Sequence, residues 1–448
     1  MSWAGVELAG WGRTSRGVMT ACRPERLSEV RARLSEAEPG RGLIAHGAGR
    51  AYGDAALNAQ GRVMLTRRLD RMLAFDPATG LLEAEPGVSF ADLLETFLPR
   101  GWLAPATPGT AFATMGGAIA NDVHGKNHDR VGSFGDHLAW IDLLLPSGET
   151  MRITEASHPR LFRATVGGLG LTGIVTGLGL RMMRVPSGAV RVRERRCGDL
   201  DSFLSALEEA RTRATYSVGW IDGLARGGAL GRGILETAEP EPSAELARER
   251  ARTLAVPIDL PGAALNPATV GLFNAAYFRR VPENGRERVV SYRGFLYPLD
   301  AIHDWNRIYG RSGFYQFQCV LPDASSGAGL RSLLEEISRA GRASFLAVLK
   351  TLGGEGRGLL SFPMRGFTLA LDFPRRSGVE ELLARLEQLT LEHGGRIYLA
   401  KDAVLSAEGL RRMYPRLPEF QSVLEEVDPE RLLNSDMARR LRIRERLA

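Results

Sequence analysis

The chain has 448 residues, 44% of them hydrophobic and 25% charged, with a formal net charge of +6. That length accommodates two ordinary domains, and the composition is that of a soluble globular fold, which sets aside disordered and collagenous classes. The basic excess is arginine spread along the chain, with no RNA-recognition, zinc-finger or basic-region pattern, so no nucleic-acid partner is expected. Cys22, Cys197 and Cys319 are odd in number and far apart, and they form neither a metal motif nor a disulfide framework. With an N-terminus, MSWAGVELAGWGRTSRG, that lacks a basic-then-apolar leader, they point to a cytoplasmic location. No run approaches the ~20 apolar residues of a membrane helix; membrane contact, if made, is expected to be peripheral.

In chain order, Glu25 to Leu34 reads as an amphipathic helix, with Leu27, Val30 and Leu34 on one face. A strand end at Leu43–Ala45 leads into the glycine-rich stretch His46 to Asn58, HGAGRAYGDAALN. Short strands follow at Val63–Leu65 and Met72–Phe75, the second turning at Asp76–Gly80 into Leu81–Ala84 as a hairpin. Ser89 is placed to cap a helix running to Leu98, with Asp92 in the capping-box position. Leu138–Leu145 and Thr150–Ile153 flank a second hairpin turn, and Gly167-Gly-Leu-Gly170 precedes an apolar strand at Leu171–Val175. From Ala189 the texture changes. Strands at Tyr216–Ile221, Phe314–Val320, Phe345–Leu349 and Phe367–Phe373 alternate with helices at Leu200–Thr212 and Gly378–His393. Gly223 to Pro282, poor in periodicity, reads as a mobile loop or lid. The arginine-rich end, ARRLRIRERL, reads as a basic helix with a solvated face.

Two loops carry chemistry. In the first, Gly47, Gly49 and Gly53 free successive N–H groups to converge on an anion, a nest suited to phosphates, and Arg50 adds fixed positive charge. The spacing is not that of the Rossmann fingerprint. The second, Pro105 to His137, interleaves six glycines with His124, Lys126, His128 and His137. Glycine density there permits close backbone approach to a ligand, while imidazoles and a lysine supply donors and cations. A diphosphate cradle without a Rossmann fingerprint, in an α+β chain of this length, points to a flavin.

These loops resemble the diphosphate and flavin segments of the vanillyl-alcohol-oxidase-type (PCMH-type) FAD-binding fold. Within that fold the chain is similar nearly end to end to the decaprenylphosphoryl-β-D-ribose 2′-oxidase family. The resemblance is carried by GWGRT (Gly10 to Thr14), GAGRAYGD (Gly47 to Asp54), PGT…GGAIANDVHGKNHDRVGSFG, GGLGLTGIV (Gly167 to Val175), YQFQ (Tyr315 to Gln318), LSFPMRGFTLALDFP (Leu360 to Pro374), YLAKD (Tyr398 to Asp402) and SDMARRL (Ser435 to Leu441).

The resemblance implies a two-domain α+β fold. An FAD domain would be built from residues 1–188 and 396–448, with a mixed-sheet substrate domain, 189–395, inserted between them. It implies that Ala48, Gly49, Arg50, Ala51, Tyr52 and Gly53 wrap the FAD diphosphate. Thr107, Gly109, Thr114, Gly116, Gly117, Asn121 and Asp122 would follow the adenine-to-ribityl path, with Ile174 near the flavin. Covalent members of the wider fold place a tethering histidine where Arg50 stands, so non-covalent FAD is expected. Lys401 is implied as the base, with His124 beside the reacting ring. Lys126, Trp220, Gln316, Gln318, Lys350, Thr368, Ala370 and Tyr398 are implied to line the substrate pocket. Gln316 and Gln318, two apart on a strand, share a face. Read from the residues alone, Lys401 would instead pair with Asp402.

Typical family members carry cysteine where Ala370 stands and asparagine where Thr368 stands. Both positions bear on the sugar, neither on hydride chemistry. The implied activity is oxidation of the 2′-hydroxyl of a lipid-linked phospho-sugar, a polyprenyl-phosphoryl-β-D-ribose, as the first half of a ribose-to-arabinose epimerisation. A separate NAD(P)H-dependent keto-sugar reductase would complete it. The alternative is a flavin oxidase of another sugar or polyol that carries no lipid.

Overall fold

The computed structural model describes residues 2–243, 254–342 and 345–445. The first 185 residues build two main sheets, besides the short antiparallel pair of Trp102–Leu103 with Met183–Arg184. One has four strands in the order Ala4–Ala9, Arg16–Cys22, Arg62–Leu65, Leu43–His46, the last two pairings parallel. The other is an antiparallel sheet of five, Met72–Asp76, Leu81–Ala84, Ile174–Arg181, Leu138–Leu144, Thr150–Ile153. The helix Phe90–Phe97 has the capping box that its sequence predicts. Ser89 Oγ accepts from the Asp92 N–H, and the Asp92 carboxylate accepts from the Ser89 N–H at 2.9 Å. Its Phe90, Leu93, Leu94 and Phe97 are buried in one core with the five-stranded sheet.

Residues from Ala189 onward form an antiparallel sheet of eight strands and a short parallel pair, Leu254–Ala255 with Ile302–His303. The order in the sheet is Arg286–Ser291, Ala189–Cys197, Gly233–Pro240, Tyr216–Ile221, Ala347–Leu352, Gly366–Pro374, Phe314–Pro322, Arg396–Ile397. Strand alternation gives the sheet two faces of opposite chemistry. Phe317, Cys319, Leu321, Leu349, Leu369 and Leu371 point into a core shared with the helices Leu200–Arg213, Asp323–Ala340 and Val379–Glu392. Their neighbours Gln316, Gln318, Val348, Lys350 and Ala370 line a cavity on the other face.

Three expectations change. The strand after GGLG begins at Ile174, because Leu169 and Gly170 take positive φ (58° and 74°) and turn the chain first. The segment Gly223 to Pro282, expected as a mobile loop or lid, holds the strand Gly233–Pro240, paired on both sides, and the helix Pro267–Arg279; residues 244–253 of that segment lie outside the described residues. Third, the terminal arginines within the described residues are not a solvated helix face. The helix spans only Asp436–Arg440. Arg440 bridges Asp54 (2.8 Å) and Asp402 (2.9 Å), and Arg444 pairs with the fully buried Asp428 at 2.6 Å.

The chain thus returns after residue 397 to the unit where it started. Leu43 pairs with Leu433 in parallel, and the Asp436 N–H donates to Leu57 O at 2.8 Å. The strand Arg396–Ile397 still belongs to the eight-stranded sheet, at its edge. The loop carrying HGKNHD locks the two units together. Ser217 N–H donates to Lys126 O (2.8 Å), Gly353 N–H to His128 Nδ1 (3.0 Å) and Thr351 Oγ1–H to Asp129 Oδ2 (2.5 Å).

Removing one partner of a buried pair strands the other charge, at about 3–5 kcal/mol. Arg444, with 7% of its side chain exposed against 0% for Asp428, meets that condition. Arg444→Met is expected to lower unfolding free energy by about 3 kcal/mol in denaturant titration; a change below about 0.5 kcal/mol would show the pair to be dispensable.

Candidate active site

A cavity of about 810 Å³ opens between the two units, within the range of small-molecule and cofactor sites. The glycine loop after Leu43–His46 forms one end. Gly49 sits there at φ +63°, a conformation that costs a residue with a Cβ far more. Arg50 stacks its guanidinium over Trp11 (4.1 Å) and Phe112 (5.1 Å). Burial disfavours its charge, which Asp300 and Asp304 help retain. Asp300 is itself held by Thr110 Oγ1–H (2.8 Å) and the Ala111 N–H (2.6 Å).

The chemistry of this wall fits FAD. Arg50 Nε, Asn121 Oδ1 and His124 Nδ1 are buried at the cavity yet have no hydrogen-bond partner among the described residues. A cationic donor beside a backbone nest suits a diphosphate, and an amide and an imidazole further along suit a ribityl chain and a ring edge.

At the other end the cavity meets the polar face of the eight-stranded sheet. Lys401 follows strand Arg396–Ile397 on a short 3₁₀ turn, its Nζ 3.9 Å from the centre of the Tyr52 ring. Burial drives its amine toward the neutral form and Lys350 pushes the same way, while the Asp372 carboxylate opposes them. Asp402, the expected partner of Lys401, is taken by Arg440 and by the N–H groups of Val404 (2.8 Å) and Leu405 (2.7 Å). Asp372 instead receives Gln316 Nε2–H (2.6 Å) and Tyr309 O–H (2.8 Å). Burial also pulls Lys126 and Lys350 down to about 8. Lys126 Nζ donates to Phe295 O and lies 4.2 Å from that ring's centre.

His124 packs against Phe362 (5.4 Å) and Tyr398 (5.2 Å). Gln318 Nε2–H donates to His124 Nε2 (3.3 Å) and to Thr368 Oγ1 (3.1 Å). That assignment leaves the imidazole proton on Nδ1. Burial, with Lys350, His128 and Lys401 adding to it, keeps the ring neutral.

Of the residues expected at the site, most line this one cavity. Ala48, Gly49, Arg50, Ala51, Tyr52, Thr107, Gly109, Thr114, Gly116, Gly117 and Asn121 line the cavity, as do His124, Lys126, Trp220, Gln316, Gln318, Lys350, Ala370, Tyr398 and Lys401. Four stand behind it. A Cβ on Gly53 would fall 1.9 Å from Asp402 O, so that glycine serves packing beneath the loop. Asp122, its carboxyl raised by burial to about 6, braces Gly135 N–H (2.9 Å) and Ser361 O–H (2.5 Å). Ile174 joins the core of Leu43 and Met64, while its neighbours Gly173 and Val175 face the cavity. Thr368 is buried behind Gln318.

One further residue of the site, Asp372, carries a usable sequence signal: in LALDFP it shares strand parity with Ala370. Trp11, Phe112 and Asp300 carry no local signal. Neither do Glu236, Arg280, Arg286 and Arg288, which line the far end.

This fold and wall define an FAD-binding oxidoreductase. Residues 20–154 match a family described as FAD binding domain, and residues 368–441 one described as D-arabinono-1,4-lactone oxidase. The chain is 36% identical, over 97% of both chains, to decaprenylphosphoryl-β-D-ribose oxidase of Mycolicibacterium smegmatis. It is 25% identical, over 93% of both, to alditol oxidase of a Streptomyces species. The chain belongs to the decaprenylphosphoryl-β-D-ribose oxidase family, and its cofactor is FAD.

The buried histidines set an acid response. Burial lowers His128 to about 4 and lowers His46, His124 and His137 too. Below pH ~6.5 the unfolded chain takes up protons that the folded chain refuses. Stability is therefore fully present above that pH and falls as pH drops, by up to about 1.4 kcal/mol per unit for His128. His128→Gln is expected to reduce the proton uptake on unfolding by about one between pH ~6.5 and ~4. Comparing denaturant midpoints of variant and parent separates this from Asp122 and Asp372, whose raised carboxyls act in the opposite sense. An unchanged pH slope would remove His128 from the acid response.

Proposed function

We propose that the chain oxidises the 2′-hydroxyl of a polyprenyl-phosphoryl-β-D-ribose to the 2′-keto sugar. The observation that carries the reading is Lys401: a half-buried lysine biased toward the free amine, on the same cavity wall as Gln316, Gln318, His124 and Lys350. A full-length relative named for oxidation of that lipid-linked ribose supports the substrate class.

The chemistry that bound FAD would supply here is a hydride acceptor for the carbinol carbon. Lys401 Nζ takes the hydroxyl proton as the C–H bond breaks, a step for which a positioned base contributes about 10²–10⁴-fold. Its amine must be neutral, which burial and Lys350 favour. Gln316 and Gln318 hold sugar hydroxyls, and Lys126 and Lys350 meet the substrate phosphate. His124 stays neutral and offers its Nδ1 proton as a donor. The family resemblance puts Arg50 where covalent members of the wider fold carry a tethering histidine, and a guanidinium forms no such bond, which supports non-covalent FAD. The ketone is passed to a separate NAD(P)H-dependent reductase, which completes the epimerisation.

A second reading, oxidation of a lipid-free polyol, draws on the alditol oxidase relative and on Ala370, whose small side chain leaves that wall open. Anaerobic flavin bleaching distinguishes the two. Polyprenyl-phosphoryl ribose is expected to bleach the flavin while free ribitol and ribose do not; bleaching by ribitol would instead make this a polyol oxidase.

Lys401→Met is expected to slow that bleaching by about 10²–10⁴-fold with the flavin still bound. Undiminished reduction would take the lysine out of proton transfer.

A further inference from the structure

The strand Arg286–Ser291 brings Arg286 and Arg288 to the far end of the cavity, and Arg280, just past the helix Pro267–Arg279, joins them there. From that edge a row of directly opposed residues runs inward across four strands: Arg286, Glu194, Glu236 and Val218. Opposed residues share a face of a sheet. Arg286, Glu236 and Val218 line the cavity, and Lys350 lines it from the next strand in. The arginine end and the reacting end are therefore one continuous surface.

Glu194 anchors the row. Its side chain is fully buried (0% exposed) and gathers three guanidiniums: Arg280 Nη1 at 2.7 Å, Arg286 Nη2 at 2.5 Å and Arg288 Nε at 3.3 Å. Glu236 takes a second edge of Arg280 (3.2 Å) and of Arg288 (3.7 Å). Among the described residues, the ion pairs of these three arginines all go to those two carboxylates, which leaves one cation in excess. Donors are in excess too. Each guanidinium carries five N–H groups, and Arg280 Nε is buried with no hydrogen-bond partner among the described residues. Three like charges held around one carboxylate repel one another, and an anion entering from the cavity relieves that repulsion.

Lys126 connects the two ends. Burial is the main cause that lowers its amine; of the charges acting on it, Glu236 raises it and Arg288 lowers it. Lys350, lowered first by burial, is pushed the same way by Lys126. An anion between Lys126 and the arginines would meet a compact ammonium on one side and planar forks on the other. Such forks match two oxygens of a phosphate at once.

We propose that Arg280, Arg286 and Arg288, fanned on Glu194, form with Lys126 an anion subsite that takes the phosphate group of a phosphorylated substrate. The inference rests on the ribose reading only for which phosphorylated molecule enters. The subsite itself selects a phosphate ester, and it makes the arginines a source of substrate specificity alongside the lysines.

The test is titration calorimetry on the flavin-loaded protein, with farnesyl phosphate, farnesol and inorganic phosphate as probes. Farnesyl phosphate is expected to bind saturably, more weakly at raised salt, and at least about tenfold more tightly than either of the others. Arg286 and Arg288 are part-exposed (39% and 36%), so replacing them does not empty the core. The double variant Arg286→Met with Arg288→Met should weaken farnesyl phosphate at least about tenfold. It should also raise KM for polyprenyl-phosphoryl ribose far more than it lowers kcat. Lysine at both positions should restore part of the binding. Glu236→Gln removes a negative charge and should tighten binding about threefold, a gain that damaged folding cannot produce. Lack of saturable binding, or an affinity that neither the methionines nor Glu236→Gln changes, would overturn the inference. So would inorganic phosphate binding as tightly as farnesyl phosphate, which would assign the arginines to a free ion. Bleaching by ribitol beside tight, arginine-dependent binding of farnesyl phosphate would sink the ribose reading and leave the subsite standing.

Discussion

Everything in this molecule depends on an eight-stranded sheet that must be core on one face and reaction chamber on the other. The alternation of side chains makes that possible at single-residue resolution. Along Phe314–Pro322, Phe317 and Cys319 pack under the helices while Gln316 and Gln318 face the cavity. Along Ala347–Leu352, Leu349 is core and Lys350 is not. A one-residue slip in any of these strands would bury the glutamines and lysine against leucine and turn the core residues toward the cofactor. The helices Asp323–Ala340 and Val379–Glu392 hold the register by giving the apolar face a large partner.

The same geometry controls charge. Three lysines sit in one enclosure with few carboxylates to neutralise them. Burial lowers all three, and mutual repulsion between Lys126 and Lys350, and between Lys350 and Lys401, adds to it. Asp402 could have cancelled Lys401 locally, but Arg440 holds it away. The bias of the Lys401 amine toward the neutral form comes first from its burial, with Lys350 adding to it, while Arg440 keeps Asp402 engaged elsewhere. Cations gathered in this way favour an anionic substrate over a neutral one.

Much of this architecture is legible in the amino-acid sequence. The hairpins, the capping box at Ser89 and the pocket-facing parity of Gln316 and Gln318 follow from turn chemistry and periodicity, and both glycine loops reach the cavity. What the sequence conceals is long-range. Gly233–Pro240 is hidden because GILETAEP alternates poorly, and it becomes a strand only by being hydrogen-bonded on both sides. ARRLRIRERL resembles a solvated helix because nothing local says that Arg440 has Asp54 and Asp402, or Arg444 has Asp428, waiting for it. The family resemblance implies Ile174, Asp122, Gly53 and Thr368 as wall residues, whereas each supports the wall from behind.

The C-terminal return bears on how the protein is made. Domains generally fold in order of emergence, at about 5–20 residues per second. The four-stranded sheet and its glycine loop leave the ribosome before the eight-stranded sheet, yet Leu433 and Arg440, which pair with Leu43 and Asp54, follow that sheet. The nascent first unit therefore waits through translation of the whole inserted sheet with its phosphate cradle unbraced. Flavin capture is in consequence a late event of biogenesis, and the waiting unit, with an incomplete sheet edge, is the stage at which a chaperone would be needed most.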